Sequence, residues 1–219
     1  LKAIAVASQC YGKLTLLNSY PMKRALFFVL FFAGFFSVVA QQKVSVKPIF
    51  IDSSFDSISK VKAYESVKIL DSVFNSDAFE ELVLAEKFTV GNNSLSSVDI
   101  LDLIRGGADN FKGSPKDYSI DLRLGVYDAY KGGKEYGNTK MASRITYTHR
   151  CYIIKNATRC YASHLAHEYM HEIGFYDVKS WEGVRRTKAN SVPYKIGNIV
   201  ARIIGKPSGC SYQTSTCKK

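Results

Sequence analysis

The chain has 219 residues, 46% hydrophobic and 22% charged, with a formal net charge of +11. That is an ordinary globular balance, enough for one core and too short for two full domains once the N-terminus is set aside. The basic residues are scattered and no nucleic-acid-binding motif appears, so the charge is read as solubility or as attraction to anionic surfaces and acidic substrates, with no nucleic acid as partner.

The sequence opens on Leu1, and residues 1–21 are read as an upstream extension. Met22, Lys23 and Arg24 are followed by an apolar run over residues 25–40, broken only by Gly34 and Ser37. It closes on Val38-Val39-Ala40, with small residues at the cleavage-determining places. This is the layout of a secretory signal peptide over residues 22–40. The run falls short of the ~20 residues that a membrane span needs. The expected mature protein is therefore residues 41–219, a single domain, secreted or periplasmic, with no stable membrane insertion. Lys2, Lys13, Lys23 and Arg24 are the only charges before Gln41, so the mature net charge falls from +11 to +7.

In chain order, residues 44–51 read as a first strand. Ser53-Ser54 can cap a helix in which Ile58, Val61, Tyr64, Ile69-Leu70 and Val73-Phe74 recur at helical spacing. Asn75-Ser76-Asp77 breaks it, and a shorter helix runs to Leu84. Gly91-Asn92-Asn93 is a turn. Ser96 and Asp99 suit a capping box for a helix ending at Gly106-Gly107. Residues 119–127 (SIDLRLGVY) alternate, with Ile120, Leu122, Leu124 and Val126 on one face, and predict a strand. Residues 131–134 are a loop. Residues 144–154 (RITYTHRCYII), rich in β-branched and aromatic side chains, predict another strand. A helix follows over 159–173. Strands and helices interleave without a regular βαβ rhythm, which predicts α+β.

Cys10 precedes the expected mature chain, leaving Cys151, Cys160, Cys210 and Cys217. An even count in an exported chain predicts two disulfides. Of the possible pairings, the two local ones, Cys151 with Cys160 and Cys210 with Cys217, are expected. A four-thiolate zinc site suits these spacings less well.

The chemistry concentrates in residues 163–177 (SHLAHEYMHEIGFYD). His167-Glu168-Tyr169-Met170-His171 is H-E-x-x-H. Residues four apart share a helix face, so both imidazoles can reach one metal, and Glu168 can act as general base on a water. A catalytic zinc site takes three protein ligands and keeps an open position. No histidine follows His171, and the only later acids are Glu172, Asp177 and Glu182. Glu172 adjoins His171 and points about 100° away round the helix. Cys210 and Cys217 are better used as a disulfide. Asp177 fits best, because Gly174 can end the helix and turn the chain back. His164, a turn before His167, reads as a packing residue or as a group behind the ligands. His149 and the many tyrosines read as packing.

The resulting pattern, H-E-x-x-H-x-x-G-x-x-D, resembles the metzincin signature of zinc peptidases, in the variant where aspartate replaces the last histidine, as in snapalysin-like enzymes. It covers eleven residues with five specified positions. The family's methionine turn has no counterpart: Met22, Met141 and Met170 are the three methionines, none of them downstream. Ser191-Val192-Pro193-Tyr194 occupies about that place, and Tyr194 is similar in position to a tyrosine that can reach the metal or the oxyanion. The resemblance implies a mixed sheet with a backing helix, an active-site helix below it and a small C-terminal subdomain from Tyr176 that forms the lower half of the cleft, with a helix near 196–204. It also implies an edge strand that binds extended substrate, for which residues 144–154 are the candidate.

The expectation is a monomeric, exported, Zn2+-dependent endopeptidase acting on protein or peptide substrates. Its metal ligands would be His167, His171 and Asp177, with Glu168 and Tyr194 as catalytic groups. A zinc-dependent hydrolase of cell-wall amide bonds and a non-catalytic zinc-binding module on the same fold are the alternatives.

Overall fold

Ser119–Tyr127 (β2) carries Ile120, Leu122, Leu124 and Val126 at every second position, and all four are buried. Such alternation puts one face of a strand into a core. The strand lies inside a four-stranded sheet. Ser45–Phe50 (β1) and Ile145–His149 (β4) flank it, both parallel to it. Gly137–Lys140 (β3) pairs antiparallel with β4 and completes the order β1-β2-β4-β3. Among the described residues six helices join this mixed sheet, so the architecture is α+β, as the sequence predicts. The structure is a computed structural model that describes residues 42–51, 53–110, 112, 115–128, 137–177, 189–208 and 210. The predicted extension over 1–21, the signal peptide over 22–40, the loop over 131–134 and Cys217 lie outside the described residues. No helix among them is long and apolar enough to cross a membrane.

Ser57–Phe74 (α1) backs the sheet. Its N-cap is Asp56, whose side chain accepts from the Ser59 N–H at 2.7 Å, in place of the expected Ser53-Ser54. The buried stripe is Ser59, Ala63, Ser66, Val67, Leu70, Val73 and Phe74. Ile58, Val61 and Tyr64, expected to face the core, are 58%, 56% and 51% exposed. The small residues won that face because α1 packs closely on the helix over Thr158–Glu172. The Ser66 hydroxyl lies 2.8 Å from the Lys62 carbonyl and 3.0 Å from that of Thr158. Asp77–Ala85 (α2) and Ser97–Arg105 (α3) follow, the latter with the predicted Ser96–Asp99 capping box.

The segment 144–154 is not one strand. β4 ends at His149, and Arg150–Lys155 forms helix α4. The switch has a local cause: His149 Nδ1 accepts from the Cys151 N–H at 3.1 Å, capping the helix. Nor is β4 the sheet edge, because β3 covers it. Thr158–Glu172 (α5) then crosses under the sheet and packs against α1 and against Val192–Ile203 (α6).

The disulfide pairing also differs from expectation. Cys160 bonds Cys210, with Cα atoms 5.6 Å apart, across 50 residues of sequence. This rules out both local pairings. Packing of α6 on α5 returns the segment after α6 to the start of α5, so Cys210 meets Cys160 in space. Cys151 is also disulfide-bonded.

Candidate metal centre

His167 and His171 sit one turn apart on α5, as their spacing requires, with ring centroids 4.9 Å apart and rings nearly perpendicular. Their Nε2 atoms are 3.2 Å apart. The helix then stops in a Schellman turn. The Gly174 N–H reaches the His171 carbonyl at 3.1 Å and the Phe175 N–H reaches that of Met170 at 2.9 Å, with Gly174 at φ +106°. A side chain at that φ would be strained, which is why glycine stands there. The turn returns Asp177 to the histidines. Its Oδ2 lies 3.7 Å from His167 Nε2 and 3.8 Å from His171 Nε2.

These three atoms fit a zinc ion on their own geometry. Ligands about 2.0–2.2 Å from a tetrahedral metal are separated by about 3.3–3.6 Å, close to the three edges found. The donor set, two imidazoles and a carboxylate, suits zinc. It is the single group of three possible ligands among the described residues.

Neighbouring groups fix the orientation of these candidate ligands. His171 Nδ1 lies 2.7 Å from the Phe175 carbonyl, so Nδ1 carries the proton and donates it, leaving Nε2 as a lone pair. The fully buried Ser191 donates its hydroxyl to Asp177 Oδ1 at 3.2 Å, which leaves Oδ2 toward the histidines. Ser191 is the N-cap residue of α6, yet its side chain makes no capping bond, because Asp177 takes it. The segment 191–194 opens this helix instead of forming a turn beneath the ligands, with Pro193 in the first helical turn. Tyr194 stands beside the site, its ring edge-on to His167 at 4.6 Å between centroids.

Glu168 is 4% exposed and turned into the cleft floor. Its Oε2 accepts from the Thr139 hydroxyl at 2.7 Å, and its Oε1 lies 3.5 Å from His164 Nδ1. His164 is thus a neighbour of Glu168, one turn before His167 on α5. Burial pushes its pKa down, so it stays neutral.

A chain of hydrogen bonds runs on from Glu168. Thr139 Oγ1 is 2.8 Å from Thr146 Oγ1, which is 2.8 Å from Glu172 Oε1. Three contacts share two hydroxyl protons, so the chain is complete only if a carboxyl supplies another. Glu172 is suited to do so, because burial raises its pKa to about 8. Glu172 is therefore no ligand, in agreement with its angle on the helix, but it anchors the far end of this chain. The sequence reading does not point to Thr139, Thr146 or Ser191, which bond Glu168, Glu172 and Asp177. Thr146 and Thr148 left one signal, two buried hydroxyls on the inward face of a strand. Thr139 left none, since β3 (GNTK) has no apolar alternation.

The triad, Glu168, Thr139 and Tyr194 line one open cleft of about 460 Å³. β3 forms its upper rim and α6 its lower wall. No protein-family model, curated protein or solved structure matches the chain.

Proposed function

We propose that the protein is an exported zinc-dependent endopeptidase, in which His167, His171 and Asp177 hold the metal and Glu168 is the general base. The observation that carries this reading is the convergence of two imidazoles and a carboxylate, 3.2–3.8 Å apart, in the cleft that Glu168 lines. A zinc ion held there supplies Lewis acidity, which acidifies water and polarises a carbonyl.

The chain's own residues do the rest. Glu168 accepts the proton of the attacking water and passes it to the leaving amine. Thr139 holds one oxygen of that carboxylate, which leaves the other for the proton. Tyr194, beside His167, offers its hydroxyl to the carbonyl oxygen as charge develops. β3 is the edge of the sheet among the described residues, and its backbone can pair with an extended peptide laid along the cleft. The metzincin-like motif agrees with this arrangement of edge strand above and ligand helix below.

The test is Glu168→Gln. The variant should keep its zinc and lose on the order of 10²–10⁴-fold in the rate of peptide hydrolysis. Cleavage of unfolded protein at the wild-type rate would remove Glu168 from the mechanism.

A further inference from the structure

The cleft does not end at the metal ligands. It continues along α5 past His164 and Ser163 and is closed by Asn198 and Lys206. Ser163 lies four residues before His167, which is about 6 Å along a helix axis.

Lys206 is held there by the chain. α6 ends in a second Schellman turn: Gly205 has φ +58°, its N–H reaches the Arg202 carbonyl at 3.3 Å, and the Lys206 N–H reaches that of Ala201 at 2.9 Å. Four residues later the Cys160–Cys210 disulfide ties the same segment to α5. The Lys206 ammonium lies 3.4 Å from Ser163 Oγ, whose proton goes to the Gly197 carbonyl at 3.0 Å.

No carboxylate among the described residues answers the charge of Lys206. Other partly buried cations have partners: Arg105 pairs with Glu80, Lys195 with Glu86, and Arg150 with Asp56 and Asp128. Lys62 reaches the Ile154 and Asn156 carbonyls at 2.7 and 2.6 Å. Lys206 has one hydroxyl and no carboxylate among the described residues, although an ammonium has three protons to donate. Burial pushes its pKa down, with no acid to offset it. Among the described residues Glu168 and Asp177 are the acids of the cleft, and both serve the metal end. A buried charge without a partner is costly, and a bound anion relieves that cost.

We propose that Lys206, held by Ser163 and flanked by Asn198, forms a subsite for a substrate carboxylate, so that the protein selects peptides carrying glutamate or aspartate next to the scissile bond. The proposal rests on the peptidase reading above. A glutamate side chain reaches roughly 4–5 Å from its Cα, which suits a residue directly flanking a bond held at the ligands.

Binding tests it apart from turnover. N-acetylated, C-amidated alanine hexapeptides with Glu or Gln at the fourth residue are titrated into zinc-loaded Glu168→Gln protein by calorimetry. The Glu peptide should bind roughly tenfold more tightly, as expected for a hydrogen-bonded ion pair, and the margin should shrink in high salt. Lys206→Gln should abolish the margin, and Lys206→Arg should restore it. Equal binding of the two peptides, or a margin that survives in Lys206→Gln, overturns the subsite. Cleavage of the same pair by the unsubstituted protein reads the other proposal. Preferential binding without cleavage sinks the peptidase reading and leaves the subsite, whereas cleavage without preference does the reverse.

Discussion

Thr139, on the edge strand, donates a 2.7 Å hydrogen bond to Glu168, on the helix that carries both histidines. The bond joins the rim of the cleft to its floor and sets the direction of the carboxylate. Thr139→Val keeps the shape of the side chain and removes the donor. A hydrogen bond to a charged group is worth about 1.5–3 kcal/mol, so hydrolysis should fall roughly 10–100-fold. Zinc content should not change. Thr139→Ser should keep most of the activity. A valine variant as active as the unsubstituted protein would show that Glu168 needs no such orientation.

Asp177 depends on Ser191 in a similar way. Asp177→Ala removes a proposed ligand, and zinc affinity should drop by orders of magnitude. Ser191→Ala removes only the group that orients it, and a loss of about 10–100-fold in affinity is expected. Competition with a chromogenic chelator measures both. Equal zinc affinity in Asp177→Ala and the unsubstituted protein would exclude Asp177 from the site.

The buried carboxyl of Glu172 predicts a pH effect in the metal-free protein. Its folded pKa is about 8, above the ordinary 4.5. Between those values the folded state holds a proton that the unfolded state has released. The stabilising contribution is therefore full below about pH 4.5 and is lost as pH rises toward 8, by on the order of a kcal/mol per pH unit. Glu172→Gln keeps a donor for Thr146 and cannot ionise. Urea unfolding at pH 5 and pH 8 should show the variant gaining on the parent at the higher pH. A constant difference between the two would contradict the assignment.

The Cys160–Cys210 bridge closes a long loop, and chain entropy puts its contribution at about 4 kcal/mol. The paired Cys160→Ser, Cys210→Ser variant should unfold at lower urea by a typical 2–4 kcal/mol. Because the bridge also anchors the segment that carries Lys206, peptide binding should weaken more than zinc binding. Peptide mapping that instead linked Cys151 to Cys160 would refute this pairing.

The convergence of His167, His171 and Asp177 was legible in the sequence because each placement depends on local geometry. His167 and His171 follow from helix periodicity, and Asp177 from a glycine that ends the helix. β2 and the capping box at Ser96 were legible for the same reason. The rest depends on what packs against what. Ile58, Val61 and Tyr64 have helical spacing, yet the small residues Ser59, Ala63 and Ser66 take the buried face of α1 because another helix lies close. Residues 144–154 have strand composition throughout, yet His149 caps a helix in their middle. The Thr139–Thr146–Glu172 chain joins residues up to 33 apart by strand register and helix placement, which no spacing rule encodes. The disulfide was misjudged because closeness in sequence stood in for closeness in space.

X-ray absorption at the zinc edge of the zinc-loaded protein, with zinc stoichiometry by mass spectrometry, tests the central claim most directly. The account predicts one tightly held ion per chain, with two imidazole nitrogens and carboxylate oxygen at about 2.0–2.2 Å and no sulfur. Absence of tight zinc, a sulfur ligand, or an unchanged coordination shell in Asp177→Ala would contradict it.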